Sequence, residues 1–196
     1  MVKDAAYWIK KLNLEKHPEG GYFRQTYRSR EAIEASALPG RFTADRQTLT
    51  DRLISTAIYY LLSADEFSAF HSLKSDELWH FHCGAAVTIH IIDQNGKYSA
   101  IRLGSDFDRG EVFQAVVEAG CWFGATVESG DRAQVSCASS PPACYPRSHP
   151  CSAPYSLVGC TVAPGFDFSD FRLGDRRELI ERYPEHKTII EKLTRR

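Results

Sequence analysis

From Ile54 onward the chain breaks into short apolar runs with polar or glycine-bearing gaps. The runs are "ISTAIYYLLS", "FSAFHSL", "ELWHFHC", "AVTIHIID", "YSAIRLG", "VFQAVV" and "CWFGATV", with "YSLVGCTVA" (155–163) further on. They are rich in β-branched and aromatic residues, and their lengths are those of strands rather than helices. "DQNGK" (93–97) is a hairpin signal, and its Asn-Gly pair predicts a type I′ turn. Many short strands at this spacing predict an antiparallel barrel or sandwich rather than a parallel α/β sheet.

The ends of the chain read differently. Residues 4–13 predict a short helix, with Asp4 as N-cap and Ala5, Trp8, Ile9 and Leu12 on one face. Pro18, Gly20 and Gly21 in "HPEGGYF" are turn residues. "YFRQTYRS" (22–29) alternates and predicts a strand, and residues 30–52 are polar and predict a surface excursion. "PGFDFSDFRLG" predicts a tight aromatic loop in which Asp167 and Asp170 make local hydrogen bonds. After it, Asp175 caps "RRELIERY" and Pro184 suits the first turn of "PEHKTIIEKLTR". Residues 129–153, rich in Ser, Pro and Cys and without periodicity, predict a surface insertion. There is no internal repeat, and we read residues 1–196 as a single domain.

Composition narrows the function classes. The chain has 196 residues, 43% hydrophobic and 25% charged, with a formal net charge of -1. That is an ordinary globular balance. It carries no basic stripe to neutralise a phosphate backbone, so a nucleic acid polymer is not an expected partner. The first residues lack the apolar core of a signal peptide, and no apolar run nears the ~20 residues that span a bilayer. We expect a cytoplasmic protein without membrane association. Among six cysteines, Cys83, Cys121 and Cys160 fall in or beside strand-like runs, where a reduced cysteine is a small hydrophobe. Cys137, Cys144 and Cys151 are spaced by seven, which is not a zinc pattern.

The chemistry concentrates in "HSLKSDELWHFHCG" (71–84). His71 and Glu77 lie on consecutive strands split by "KSD", so a hairpin brings them near each other. An imidazole with a carboxylate binds a metal or forms a proton-transfer pair. Strand parity then sorts the remainder. Glu77, Trp79 and Phe81 point one way, and Leu78, His80 and His82 the other. The pocket side is either Glu77 with Trp79 or His80 with His82, unless a β-bulge intervenes. Trp79 and Trp122 are candidate flat walls for a ligand. Arg24, in an apolar strand, either faces solvent or meets an anion.

The pattern His71-x-Leu73-x3-Glu77-x6-Gly84 resembles the first motif of the cupin superfamily, and "VEAGCWF" (117–123) resembles the second. "HPEGGYFRQTYRS", "STAIYYLL", "FHSLKSDELWHFHCG", "AGCWFGA" and "LVGCTVAPGFDFSDFRLG" look like the cupin-5 branch, over roughly residues 5–175. The resemblance implies a mainly β fold: a double-stranded β-helix (cupin or jelly-roll barrel) with a small-molecule pocket, flanked here by a short N-terminal helix and C-terminal helices. It also implies a homodimer that exchanges N-terminal strands.

Metal-binding cupins use two histidines, a glutamate and a second-motif histidine. Here Leu73 and Phe123 stand at two of those positions and Glu118 replaces the motif proline. The expectation is therefore a protein without a metal cofactor, although a divalent ion held with other recruits is the alternative. What remains is similar to metal-free cupins such as the dTDP-sugar 3,5-epimerases. That likeness implies His71 as base, Tyr59 or Tyr60 as acid and Glu77 as an orienting or competing group, acting on a small polar ligand such as a nucleotide sugar. A non-catalytic binding barrel and a metal-dependent oxygenase or lyase are the other readings. Arg24, Trp79, His80, His82, Trp122 and Phe123 complete the candidate ligand contacts.

Overall fold

In the computed structural model, residues 3–43, 50–128 and 154–195 are described. The expected insertion 129–153, with its three cysteines, lies outside them. Helix α1 (Ala5–Leu12) is closed at its start by Asp4, whose carboxylate accepts the Tyr7 N–H at 2.8 Å, and at its end by Asn13 in the left-handed region. Thirteen strands follow: β1 (Glu15–Lys16), β2 (Tyr22–Arg28), β3 (Ala32–Ile33), β4 (Arg52–Leu53), β5 (Thr56–Ser63), β6 (Phe67–Leu73), β7 (Asp76–Gly84), β8 (Val87–Ile92), β9 (Tyr98–Leu103), β10 (Gln114–Val117), β11 (Trp122–Val127), β12 (Tyr155–Ala163) and β13 (Phe171–Leu173). A short helix α2 (Gly40–Thr43) precedes β4, and α3 (Arg176–Arg182) and α4 (Lys187–Lys192) end the chain.

Two antiparallel sheets face each other, one ordered β1-β2-β5-β12-β7-β10 and the other β13-β6-β11-β8-β9. Between them lies the main core, which includes Tyr60, Leu62, Leu73, Trp79, Ile89, Phe123 and Val158. Each sheet is also covered on its outer side. Trp8, Ile9 and Leu12 of α1 pack on Leu61, Tyr155 and Leu157 of the six-stranded sheet. Leu179, Tyr183, Ile190 and Leu193 of the C-terminal segment pack on Phe70, Ile92 and Trp122 of the other. A strand buried on both faces loses its alternation, which is why β11 and β12 read as continuous apolar runs. Among the described residues no helix is long and apolar enough to cross a membrane.

Two expectations change. The Asn-Gly hairpin is not a type I′ turn, because Asn95 does not take a positive φ; only Gly96 does, at 83°. Gly96 N–H donates to Asp93 O and Asp93 N–H to Lys97 O, while the Asp93 carboxylate accepts from the amides of Asn95 and Lys97. The aspartate's two bonds favour a type I turn followed by a left-handed glycine. The polar stretch 30–52 is also not wholly a surface excursion, since Leu38, Phe42 and Arg52 are buried.

Candidate functional site

The turn between β1 and β2 carries the first two groups of the site, His17 and Glu19. Gly20 and Gly21 adopt φ of +122° and +68°. A Cβ on Gly20 would run into the Phe67 carbonyl, and one on Gly21 would lie 2.6 Å from Leu61 O. Only glycine allows this turn to press against β5 and β6. The Glu19 carbonyl accepts the Ala69 N–H at 2.9 Å, and the Gly20 carbonyl accepts the Tyr60 hydroxyl at 2.9 Å. The Glu19 side chain is thereby driven inward, where it is buried. Gly21→Ala should cost about 2 kcal/mol or more in urea unfolding, from a disfavoured φ and a backbone clash together.

Strand β6 supplies His71 and Ser68. Three residues apart, they belong on opposite faces of a regular strand. The β6–β11 register shifts between Phe123 and Ala125, and this irregularity resets the phase. Both side chains then reach Glu19: Ser68 Oγ donates to Oε1 at 2.9 Å, and His71 Nε2 lies 3.2 Å from Oε2. His71 Nδ1 is 2.8 Å from the Ala69 carbonyl, which can only accept, so Nδ1 bears a proton. With Nδ1 protonated, Nε2 is the ring nitrogen left to take up a proton, and it lies beside a carboxylate that can offset the resulting charge. His17 Nδ1 sits 3.4 Å from the same Glu19 oxygen. Burial pushes His17 towards its neutral form; Glu19 opposes this and His71 adds to it.

Strand β7 brings Glu77 to the same cavity. Burial, reinforced by the charge of Glu19, pushes the Glu77 carboxyl up to about 8. Trp79 and Cys160 pull the other way, yet among the described residues Glu77 Oε2 and Trp79 Nε1 have no hydrogen-bond partner of ordinary geometry. The cavity measures about 90 Å³ and is lined by His17, Glu19, Gln25, Thr56, Tyr60, His71, Glu77 and Cys160 among apolar side chains. That is room for several waters or the head of a small molecule. Phe166, Phe168 and Phe171, from the loop before and into β13, also line it.

The sequence candidates separate into two groups. His71, Glu77 and Tyr60 meet in the cavity. Tyr60 is fully buried, its hydroxyl is committed to Gly20 O, and burial followed by Glu19 pushes its pKa well up, so it holds its proton firmly. Trp79 is core, edge-on to Tyr60 at 5.8 Å. Phe123 takes the place of the second-motif histidine and packs on the His71 ring at 4.0 Å.

The other candidates lie elsewhere. Tyr59 packs under α1 and stands edge-on to His82, which is exposed. His80 bonds the side chains of Gln114 and, at 3.4 Å, Thr161. Trp122 lies beneath the C-terminal helices, with the Arg172 guanidinium over its ring. Arg24 is exposed and donates to Leu12 O at 3.0 Å. The pocket face of β7 is thus the one carrying Glu77. His17 and Glu19 are the groups missed by reading "HPEGG" as turn punctuation alone. The signal was a histidine and a carboxylate two apart, held against two adjacent glycines.

The cupin fold raises the question of a metal. His71 and Glu77 are present, but Leu73 and Phe123 fill two ligand positions with hydrocarbon, and His71 Nε2 is directed at Glu19. Among the described residues no group of three or more His, Cys, Asp or Glu is arranged to hold an ion. The donor set does not fit a metal centre.

Comparison with known proteins agrees with the architecture. The Cupin_5 family, described as Cupin superfamily (DUF985), matches residues 6–174. A Saccharomyces cerevisiae protein, described as uncharacterized protein YML079W, is 27% identical over 163 residues, covering 83% of this chain and 71% of that protein. The crystal structure of protein SO0799 from Shewanella oneidensis superposes with a TM-score of 0.75 at 35% identity, over 98% of each chain. A hypothetical protein from Leishmania major gives 0.75 at 30% identity, over 98% of this chain and 99% of that one. With its two opposed sheets, its cavity at the His71–Glu77 motif and a family match along most of its length, the chain belongs to the cupin superfamily, in the Cupin_5 (DUF985) family.

Proposed function

We propose that the cavity binds a small polar molecule and moves a proton on it without a metal, in an isomerase- or epimerase-type reaction. One observation carries this reading. A buried carboxyl with an oxygen that lacks a hydrogen bond of ordinary geometry, Glu77, shares a cavity with an imidazole–carboxylate pair, His71 and Glu19, whose nearest atoms are 3.2 Å apart. Two groups with opposite proton demands are what such chemistry needs at neutral pH. Glu77, held protonated by burial, is the acid. His71, its Nδ1–H fixed on Ala69 O, takes a proton at Nε2 with Glu19 accepting the resulting charge. Tyr60 braces the Gly20 turn rather than donating to the ligand. The sugar of a nucleotide sugar is one ring whose C–H beside a carbonyl would suit this arrangement.

Deuterium exchange tests the reading. The full chain is incubated in D2O with small ketones and aldoses, and loss of the C–H signal beside the carbonyl is followed by proton NMR. We expect protein-dependent exchange that falls at least about 100-fold in His71→Ala and in Glu19→Gln, with folding checked by circular dichroism. Undiminished exchange in folded His71→Ala removes the proposal. A compound that binds and never exchanges leaves a binding barrel instead.

A further inference from the structure

We infer that the cavity selects an uncharged carbonyl compound with a compact apolar body and turns anionic groups away. The carbonyl part rests on the proton-transfer reading above; the charge selection does not. Among the described residues no lysine or arginine lines the cavity, while two carboxyl groups do. A phosphate or carboxylate entering it would be stripped of water with no described lysine or arginine to receive it. Arg52 and Lys74, beside the loop that carries Phe168 and Phe171, both reach Asp170 instead. An anionic substituent on any ligand must therefore remain outside the mouth.

The inner end of the cavity asks for an acceptor. Ser68 donates to Glu19 and His71 Nε2 lies 3.2 Å from it, whereas Glu77 Oε2 has no hydrogen-bond partner of ordinary geometry among the described residues although the residue is only 7% exposed. A protonated carboxyl in that position donates, and its complement is a carbonyl oxygen. The outer end asks for hydrocarbon. Phe168 is 60% exposed yet belongs to the cavity wall, with Phe166 edge-on to it at 5.0 Å. A large side chain left that open on a cavity lip gains cover when an apolar ligand sits against it. The rival ligand is a cation, which phenyl faces also attract. It would require Glu77 to lose its proton. The two cases have opposite pH dependence.

A three-member charge series decides between them: cyclopentanone, cyclopentylammonium and cyclopentanecarboxylate, measured against the full chain by saturation-transfer NMR from pH about 6 to about 9. The expected result is binding of the ketone, with the carboxylate at least about tenfold weaker. Ketone affinity should fall as pH passes about 8 and stay flat in Glu77→Gln, whose amide N–H still donates. Three results overturn the inference: a carboxylate that binds as well as the ketone, an ammonium that binds best with affinity rising towards pH about 8, or no ketone binding at millimolar concentration. Preserved ketone preference without deuterium exchange would remove the proton-transfer reading alone. Exchange confined to an anionic compound would remove the charge selection alone.

Discussion

Glu77→Gln is expected to be more stable than the wild-type chain, by a margin that widens as pH rises from about 5 to about 8 and then levels off. The Glu77 carboxyl has an ordinary value of 4.5 when unfolded and is pushed up to about 8 in the folded chain, first by burial and then by the charge of Glu19. Between those values the folded chain keeps a proton that the unfolded chain has lost, so raising the pH favours unfolding. One such proton gives a slope of roughly 1.4 kcal/mol per pH unit, and several kcal/mol across the window. Glutamine has nearly the same shape and cannot ionise, so the variant lacks that slope. Urea unfolding of both proteins at each pH isolates Glu77 together with the groups it interacts with, chiefly Glu19 and Cys160, because titrating groups that do not interact with it cancel in the difference. A difference that stays constant from pH about 5 to about 8 would mean that Glu77 ionises normally in place, and the acid of the proposed mechanism would be lost with it. A site that spends stability to hold a carboxyl neutral is better explained by chemistry than by packing, since leucine would fill the same space without the penalty.

The strands and the helix caps were legible because each depends on local chemistry. Asp4 and Asp175 cap their helices by accepting the Tyr7 and Glu178 amides, as residue type and position predict. The hydrophobic face of α1 packs through the expected side chains. What escaped depends on distant contacts. Trp122 belongs to a strand whose two faces are both covered, so nothing in its apolar run tells inward from outward, and the helices that cover it come more than fifty residues later. Ser68 and His71 share a face only because the strand is irregular beside Gly124, where a Cβ would lie 2.6 Å from Ser68 O. Glu19 escaped for a different reason. Its neighbours Gly20 and Gly21 announce a turn, and turns are normally placed at the surface. Here the same two glycines let the turn lie against β6, which buries Glu19 where an ordinary hairpin would expose it. Parity along β7 left two faces open; it could not choose between them until the partner strands were known, because an irregularity opposite His82 also breaks the alternation.

Asp170→Ala is expected to cost about 3–5 kcal/mol in urea unfolding. Arg52 meets Asp170 through two parallel bonds, Nε to Oδ2 at 2.6 Å and Nη2 to Oδ1 at 2.9 Å, with side chains only 2% and 4% exposed. Solvent does little to screen a pair this deep. Removing the carboxylate leaves a buried guanidinium whose remaining acceptors are neutral, among them the Thr50 carbonyl at 2.8 Å and Ser169 Oγ at 3.0 Å. Replacing both members by leucine, Arg52→Leu with Asp170→Leu, should recover much of the loss, because the buried guanidinium goes with its partner and Lys74, which also reaches Asp170, is partly exposed to water. The pair also fixes the cavity mouth. Arg52 belongs to β4, and Asp170 lies between Phe168 and Phe171, both of which line the cavity. The single variant should therefore lose ligand affinity beyond what its stability predicts, when binding is measured well below its unfolding temperature. Equal affinity in a folded Asp170→Ala chain would show that the phenylalanines hold the mouth without the ion pair. A stability loss below about 1 kcal/mol would show that solvent reaches the guanidinium and screens it as it does a surface pair.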